Sequence, residues 1–378
     1  MEKVLDLKLP QIPFDSDLLE LIVKLEVLRN RIAPLEINPR LFIQVKEIFY
    51  MIESLQSARI EGNRTTLSDY VSSKFEPSSN SENIKEINNI ENAIEYINSR
   101  FREDENFKIS IWFIKELHNI ITKDLNIEGS KESGKFRTCN VKIKNALHTP
   151  PEFFLVNQYM NDLIEWINKD GKMQEQMLKI AIAHHAFTWI HPFDNGNGRM
   201  SRILTYSMLK QYGFDMAYLL NSTAIFCIDR NKYFDMLQKA DENSNEGKKI
   251  WCEYVLNGLY NEMSKVAKLM QKQFFTEKIV KPAINRALNL HFINHDHQKV
   301  LELALKKDQI KSKDIQEIFG KDKTNRQVTS LIAKMAETNL LQKTDTNART
   351  YVINLLCKDL IRGIIESLHR ENFINIEE

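Results

Sequence analysis

Apolar residues recur at three- and four-residue spacing along almost the whole chain, the period of one buried helix face. LLELIVKLEVLRNRI (18–32) and LFIQVKEIFYMIESLQSARI (41–60) predict two amphipathic helices. SSKFEPSSNSEN, residues 72–83, is rich in serine and asparagine with one proline and predicts a loop. The helical period resumes in IKEINNIENAIEYINSRF (84–101) and SIWFIKELHNIITKDL (110–125). GKFRTCNVKIKNALHTPPEF (134–153) differs: Val141 and Ile143 alternate with polar neighbours before Pro150-Pro151, predicting a short hairpin. Helices return in FFLVNQYMNDLIEWINK (153–169), MQEQMLKIAIAHHAFTWI (173–190), RMSRILTYSMLKQYGF (199–214) and two further segments over 229–242 and 248–275. From about residue 281 the pattern changes to helix, helix and a strand-like end, in KSKDIQEIFG, TNRQVTSLIAKMAETNLLQKT and ARTYVINL.

Composition narrows the class. A chain of 378 residues predicts two or three domains. With 43% apolar and 27% charged residues it reads as globular, and a net charge of +1 offers no global field for nucleic acid or membrane. Cys139, Cys227, Cys252 and Cys357 form no C-x-x-C pair, which argues against zinc and fits reduced thiols. No run is apolar enough to span a membrane and MEKVLDLKLP lacks a signal core, so the expected location is the cytoplasm.

Glycine is scarce, with 11 in the chain, yet IHPFDNGNGRMSR (190–202) places two of them two positions apart around Asn197. Pro192 ends the preceding helix, which puts His191 at its terminus. Gly196 and Gly198 then feed the next helix, whose unpaired amides and dipole make an anion site. Arg199 and Arg202 are three apart on its first turns and reach the same anion. His191 is the group within reach that can take a proton near neutral pH. Base, anion cradle and two arginines describe phosphoryl or nucleotidyl transfer.

These residues resemble the signature of the Fic family, H-P-F-x-[D/E]-G-N-G-R-x-x-R, which HPFDNGNGRMSR matches at every fixed position but one. The resemblance implies a mainly helical (all-α) Fic core with a small β-hairpin flap, and transfer of AMP from ATP to a Ser, Thr or Tyr hydroxyl of a protein, the chain itself included. It implies His191 as general base, Gly196, Asn197 and Gly198 as the phosphate cradle, and Arg199 and Arg202 as holders of the β- and γ-phosphates. Tyr233 and Asp241 fall where the family shapes its adenine pocket, and Val141 and Ile143 in the flap that clamps the target as an added strand. The departure is Asn195, where the family carries the acid that holds Mg²⁺. An amide oxygen brings no charge, so Asn195 is expected to hold Mg²⁺ weakly, mainly through the phosphates, with Mn²⁺ as the alternative cation. His184 and His185 lack an H-E-x-x-H pattern and read as packing rather than zinc ligands.

SARIEGN (57–63) places Ser57 and Glu61 on one helix face, with Gly62 ending the helix. It resembles the inhibitory motif of Fic proteins that carry their own brake, in which the glutamate pairs with the second signature arginine, here Arg202. The expected domains are a helical region carrying the brake (1–95), a Fic catalytic domain (96–270) and a winged-helix-like domain (281–378). That last region resembles a winged helix-turn-helix, with Thr324, Asn325, Arg326 and Gln327 at the start of a recognition helix. Its 13 Lys plus Arg against 8 Asp plus Glu over 281–356 is a modest excess, so DNA and protein docking stand equal. The expected partners are thus ATP, a hydroxyl-bearing protein target, DNA or protein at the C-terminal domain, and a second copy in a homodimer; a membrane is not among them. Rival readings are a Doc-like phosphotransferase, which typically has lysine where Gly198 stands, other nucleotidyl transfer or AMP removal, and a DNA-binding regulator with an ATP-sensing Fic domain.

Overall fold

The computed structural model describes residues 4–30, 37–76, 81–143, 146–214, 220, 222–344 and 349–374. The chain divides into two compact units, one of residues 1–31 and 49–264, the other of residues 32–48 and 265–378. These boundaries differ from the three-domain expectation. The helix predicted at 41–60 belongs to both units, and most of the expected 1–95 and 96–270 regions falls in the first unit, with residues 32–48 and 265–270 in the second.

The first unit is helical. It holds α1 (Asp17–Asn30), the second half of α2 (Pro39–Glu61), α3 (Leu67–Phe75), α4 (Glu82–Glu103), α5 (Ile111–Thr122), α6 (Val156–Asn168), α7 (Met173–Ile190), α8 (Asn197–Gln211), the short α9 (Ala224–Cys227), α10 (Arg230–Asp241) and most of α11 (Asn245–Leu269). Part of the expected 72–83 loop is helix: α3 runs to Phe75 and α4 starts at Glu82, while residues 77–80 lie outside the described ones. Side-chain caps fix the starts of α3, α4 and α5, where Thr66, Ser81 and Ser110 accept from Asp69, Ile84 and Phe113 amides. α7 is apolar on nearly every face, because it runs through the centre of the unit. Met177, Ile180, Ala181, Phe187 and Ile190 are all buried. α8 packs against it, and the turn between them is the glycine-rich stretch.

The expected hairpin is not seen among the described residues. Among the described residues of 134–151 no strand is present, and Val141 and Ile143 are half-buried in irregular chain; residues 144–145 lie outside the described ones. Arg137 explains the irregularity. Its amide donates to Pro192 O, and its guanidinium donates to the carbonyls of Cys139, Pro151, Ile190 and His191, so the segment is tied to the α7 terminus.

The second unit closes with α12 (Lys272–Phe274), a π-helical stretch Phe275–Val280, α13 (Lys281–Asn289), α14 (His295–Lys307), β1 (Ile310–Lys311), α15 (Ser312–Phe319), α16 (Asn325–Glu337), β2 (Leu341–Lys343), β3 (Thr350–Ile353) and α17 (Lys358–Arg370). The strands form an antiparallel sheet of order β1-β3-β2, with Ile310 opposite Tyr351 and Leu341 opposite Ile353. Val300, Ile315, Ile332, Val352 and Leu360 are buried in its core. At the start of α16, Thr324 and Gln327 cap each other through Oγ1 and Oε1, which leaves Asn325 and Arg326 as its free exposed side chains.

Candidate active site

His191 is the C-cap of α7 and takes a left-handed conformation, φ 50°, which turns the chain sharply into the loop. Its Nδ1 lies 3.3 Å from Thr188 O, so the proton belongs on Nδ1 and Nε2 carries the lone pair. Burial, helped by Arg137 and His148, pushes its pKa down to about 4. The ring is therefore neutral at pH 7 and able to accept a proton.

Gly196 follows at φ 77°, a conformation glycine adopts without strain, and α8 begins immediately. The backbone N–H groups of Asn197, Gly198 and Arg199 are the orphan donors of its first turn. The Asn197 side chain does not point to a ligand. Its Oδ1 accepts from Phe193 N and its Nδ2 donates to Phe193 O, both at 2.9 Å, so it braces the loop.

Arg202 is buried, with 1% side-chain exposure, and its Nη2 donates to Glu61 Oε1 at 2.7 Å. Ser57 completes the grip: its Oγ accepts from Nε at 2.9 Å and its carbonyl from Nη2 at 3.0 Å. Gly62 ends α2 at φ 109°, and Asn63 N closes the turn on Ala58 O. Burial alone would raise the Glu61 carboxyl, but Arg202, then Arg199 and Arg230, hold it below its usual range. A Cβ at Gly198 would lie 2.3 Å from Glu61 Oε1, so a side chain at 198 would make the carboxylate shift from this position.

Arg199 is fully buried as well, and two acids absent from the sequence expectations meet it. Its Nη1 lies 3.1 Å from Glu86 Oε1, and its Nη2 3.4 Å from Glu128 Oε2 and 2.6 Å from Glu128 O. Glu86 also accepts from Asn63 Nδ2 at 2.8 Å, linking the end of the Glu61 helix to Arg199. His118 is a third residue the sequence reading passed over. It stacks flat on Phe193 at 3.7 Å, accepts from Gly134 N at Nδ1 and donates from Nε2 to Asn195 O. Burial lowers its pKa to about 4, in keeping with this neutral tautomer. A histidine on the apolar face of α5 and a glutamate on that of α4 were the available signals.

Tyr233 and Asp241 lie on α10 and are both tied to α7: Tyr233 OH to His184 Nε2 at 2.9 Å, Asp241 Oδ1 to His185 Nε2 at 2.8 Å. His184 also meets Thr205 Oγ1 and stacks on Phe226. Among the described residues no cluster of three or more His, Cys, Asp or Glu is arranged to hold a metal ion.

The residues at the expected Mg²⁺ position do not fit a cation. Asn195 spends Oδ1 on Gly196 N at 2.7 Å and turns Nδ2 toward the carbonyls of Gly129, at 3.0 Å, and Ile127, at 3.4 Å. Asp194 accepts from Ser130 Oγ and Lys131 N. Both side chains are engaged with the chain itself.

A Fic/DOC family profile matches residues 108–209. The chain is 28% identical over 192 residues to protein adenylyltransferase fic-1 of Caenorhabditis briggsae, covering 50% of this chain and 37% of that protein. It is 31% identical over 159 residues to protein adenylyltransferase Fic of Aedes aegypti, covering 42% and 29%. The chain thus spans about a third of the length of these curated relatives. Among solved structures, a Fic family protein from Desulfovibrio desulfuricans G20 superposes with a TM-score of 0.58 at 18% identity, over 92% of this chain and 98% of that one. Fic-1 of C. elegans (aa134 - 508) superposes with a TM-score of 0.56 at 20% identity, over 68% and 73%. The glycine loop, its histidine and its two arginines lie inside residues 108–209, the stretch of the chain that matches the Fic/DOC family profile.

Proposed function

We propose that the protein is a protein adenylyltransferase that transfers AMP from ATP to a Ser, Thr or Tyr hydroxyl, and that Glu61 restrains it. The observation that carries this reading is Glu61 seated on Arg202 against Gly198, beside a neutral His191. The names of the curated relatives agree with it. In the reaction, the target hydroxyl oxygen attacks the α-phosphorus and the new O–P bond forms as the bond to the β-phosphate oxygen breaks. His191 Nε2 takes the hydroxyl proton. Pyrophosphate leaves with its charge met by Arg199, Arg202 and the first amides of α8. Tyr233 and Asp241, braced by His184 and His185, line the nucleoside side, and the Val141–Ile143 stretch offers backbone to the target. No step is assigned to a metal, because Asn195 and Asp194 hold the protein rather than a cation.

The Doc-like alternative is disfavoured by Gly198, since a side chain there would displace Glu61. The helix–strand–helix–helix–strand–strand order of the second unit supports a winged-helix reading, with Asn325 and Arg326 facing a nucleic acid or protein partner. Incubation with ATP labelled on either the α- or the γ-phosphate tests the assignment. Label retained on protein from the α-position supports AMP transfer; retention from the γ-position alone refutes it.

A further inference from the structure

Both signature arginines are occupied by the chain itself, but by different segments. Arg202 is held from α2, whereas Arg199 is held partly by the segment Asn126–Lys131, which leaves α5 and crosses the glycine loop. Three successive carbonyls of that segment are spent on the loop: Ile127 O and Gly129 O on Asn195 Nδ2, Glu128 O on Arg199 Nη2. Its other ties are polar too. Asn126 N and Ile127 N donate to Glu82 Oε1, and Ser130 Oγ and Lys131 N to the Asp194 carboxylate. No residue from Lys123 to Lys131 is buried, and Ile127 at the tip is 80% exposed. A segment held by polar contacts, with no buried apolar side chain of its own, opens at low cost. It lines a cleft of about 690 Å³ together with Asp194 and Asn195.

We propose that Asn126–Lys131 is a strap that occupies Arg199 in place of a nucleotide phosphate, and that Asn195 is the staple that holds it there. This rests on the nucleotide-transfer reading above. Asn195 is then no weakened metal ligand. An aspartate at 195 has no N–H to give and would set a carboxylate oxygen against the carbonyls of Ile127 and Gly129. The amide therefore does what the family's acid cannot. Glu128 contributes the charge, with its carboxylate 3.4 Å from Arg199 Nη2. The Arg199 Nε atom is buried and makes no hydrogen bond among the described residues, while Nη1 is ion-paired with Glu86 at 3.1 Å. Apparent affinity for a ligand of Arg199 is reduced by the fraction of molecules in which the strap is closed.

The test measures ATP binding by calorimetry in EDTA, with the full chain carrying Glu61→Gly so that the first brake is absent. Asn195→Ala removes the staple without adding charge and is expected to tighten ATP binding about fivefold, the effect of roughly one hydrogen bond. Glu128→Ala should tighten it similarly, and the double variant should gain less than the product, because both act through one strap. Hydrogen exchange at the amides of residues 126, 127 and 131 should quicken in Asn195→Ala and, in the parent, on adding ATP. Unchanged affinity and exchange in Asn195→Ala overturn the strap while leaving the transfer reading intact. A gain from Asn195→Asp only when Mg²⁺ is added, with no gain from Asn195→Ala, overturns it in favour of a metal position. Absence of ATP binding in every variant refutes the nucleotide reading and this inference with it.

Discussion

Glu61 and Arg202 lie 141 residues apart in sequence and 2.7 Å apart in the structure, with the guanidinium buried and the carboxylate 30% exposed. A charge-assisted hydrogen bond of this kind is worth about 1.5–3 kcal/mol, one to two orders of magnitude in an equilibrium. Glu61→Gly is therefore expected to raise AMP transfer about tenfold or more, read as α-label on target or on the chain. Ser57→Ala removes only one of the Arg202 acceptors and should give a smaller gain. The freed Arg202 stays buried without its counter-charge, so the Glu61→Gly protein should melt lower without ATP and gain more from ATP than the parent does. Equal labelling by all three proteins would show that Glu61 merely ends a helix.

Asn63 sets how firmly that helix end is seated. Its Nδ2 donates to Asn83 O at 2.9 Å and to Glu86 Oε2 at 2.8 Å, while its Oδ1 accepts from Thr65 N. The same Glu86 faces Arg199, so the end of the Glu61 helix and the first arginine share one buried acid. Asn63→Ala should loosen Glu61 and raise transfer roughly threefold, about the effect of one neutral hydrogen bond. In the Glu61→Gly background the substitution should do nothing further for rate, since there is no carboxylate left to seat. Additive gains in the two backgrounds would mean that Asn63 acts elsewhere.

His191 and His118 both have pKa values lowered by burial to about 4. For the reaction, this keeps the base unprotonated well below neutrality. The kcat/KM of the Glu61→Gly protein should show no histidine break near pH 6.5, and NMR titration should find the His191 ring neutral at pH 6. His191→Ala should abolish transfer while ATP binding survives, because the cradle and arginines remain. For stability, a depressed histidine pKa favours the fold above the unfolded value of 6.5, and that contribution is lost as pH falls toward 4. Melting temperature should decline over that window, and less steeply in a His118→Asn protein. A break at pH 6.5 in kcat/KM would contradict the buried, neutral base.

The helices and the glycine loop were legible because each rests on local pattern. A 3.6-residue period, a proline after His191 and glycines at Gly196 and Gly198 act within a few residues of themselves. Ser57 and Glu61 could be paired with Arg202 only through resemblance, because nothing local ties residue 61 to residue 202. The partners of Arg199 were missed for the same reason. Glu86 and Glu128 are ordinary acids in sequence, and their role is created by tertiary approach. The hairpin failed in another way: alternation at Val141 and Ile143 signals a strand only where a partner strand exists, and Arg137 instead binds this stretch to the end of α7. Asn195 stands out in the sequence as a departure from the family pattern, but an isolated residue type cannot say whether its amide faces a cation or a carbonyl.

Glu53, two turns before Glu61 on α2, carries a prediction that needs no catalytic assay. Its Oε1 accepts from Ser222 Oγ at 2.8 Å, Thr223 N at 3.0 Å and Thr223 Oγ1 at 2.8 Å, while its buried Oε2 has no hydrogen-bond partner among the described residues. Burial raises its pKa to about 7 against those three donors, and the nearby charge of Glu262 adds to the rise. The folded protein thus holds this proton more tightly than the unfolded chain, whose carboxyl titrates near 4.5. The stabilising contribution is whole below pH 4.5 and is lost as pH rises through 7. Glu53→Gln keeps the acceptor that the three donors use and removes the charge. It should match the parent in melting temperature at pH 5 and exceed it by roughly 3 °C or more at pH 8.5, about the shift expected from one to two kcal/mol in a unit of this size. A constant difference between the two proteins across that range would mean that the Glu53 carboxyl does not titrate near neutrality. A lower melting temperature for Glu53→Gln at pH 8.5 would mean that the charged form is the one the loop at Ser222 and Thr223 requires.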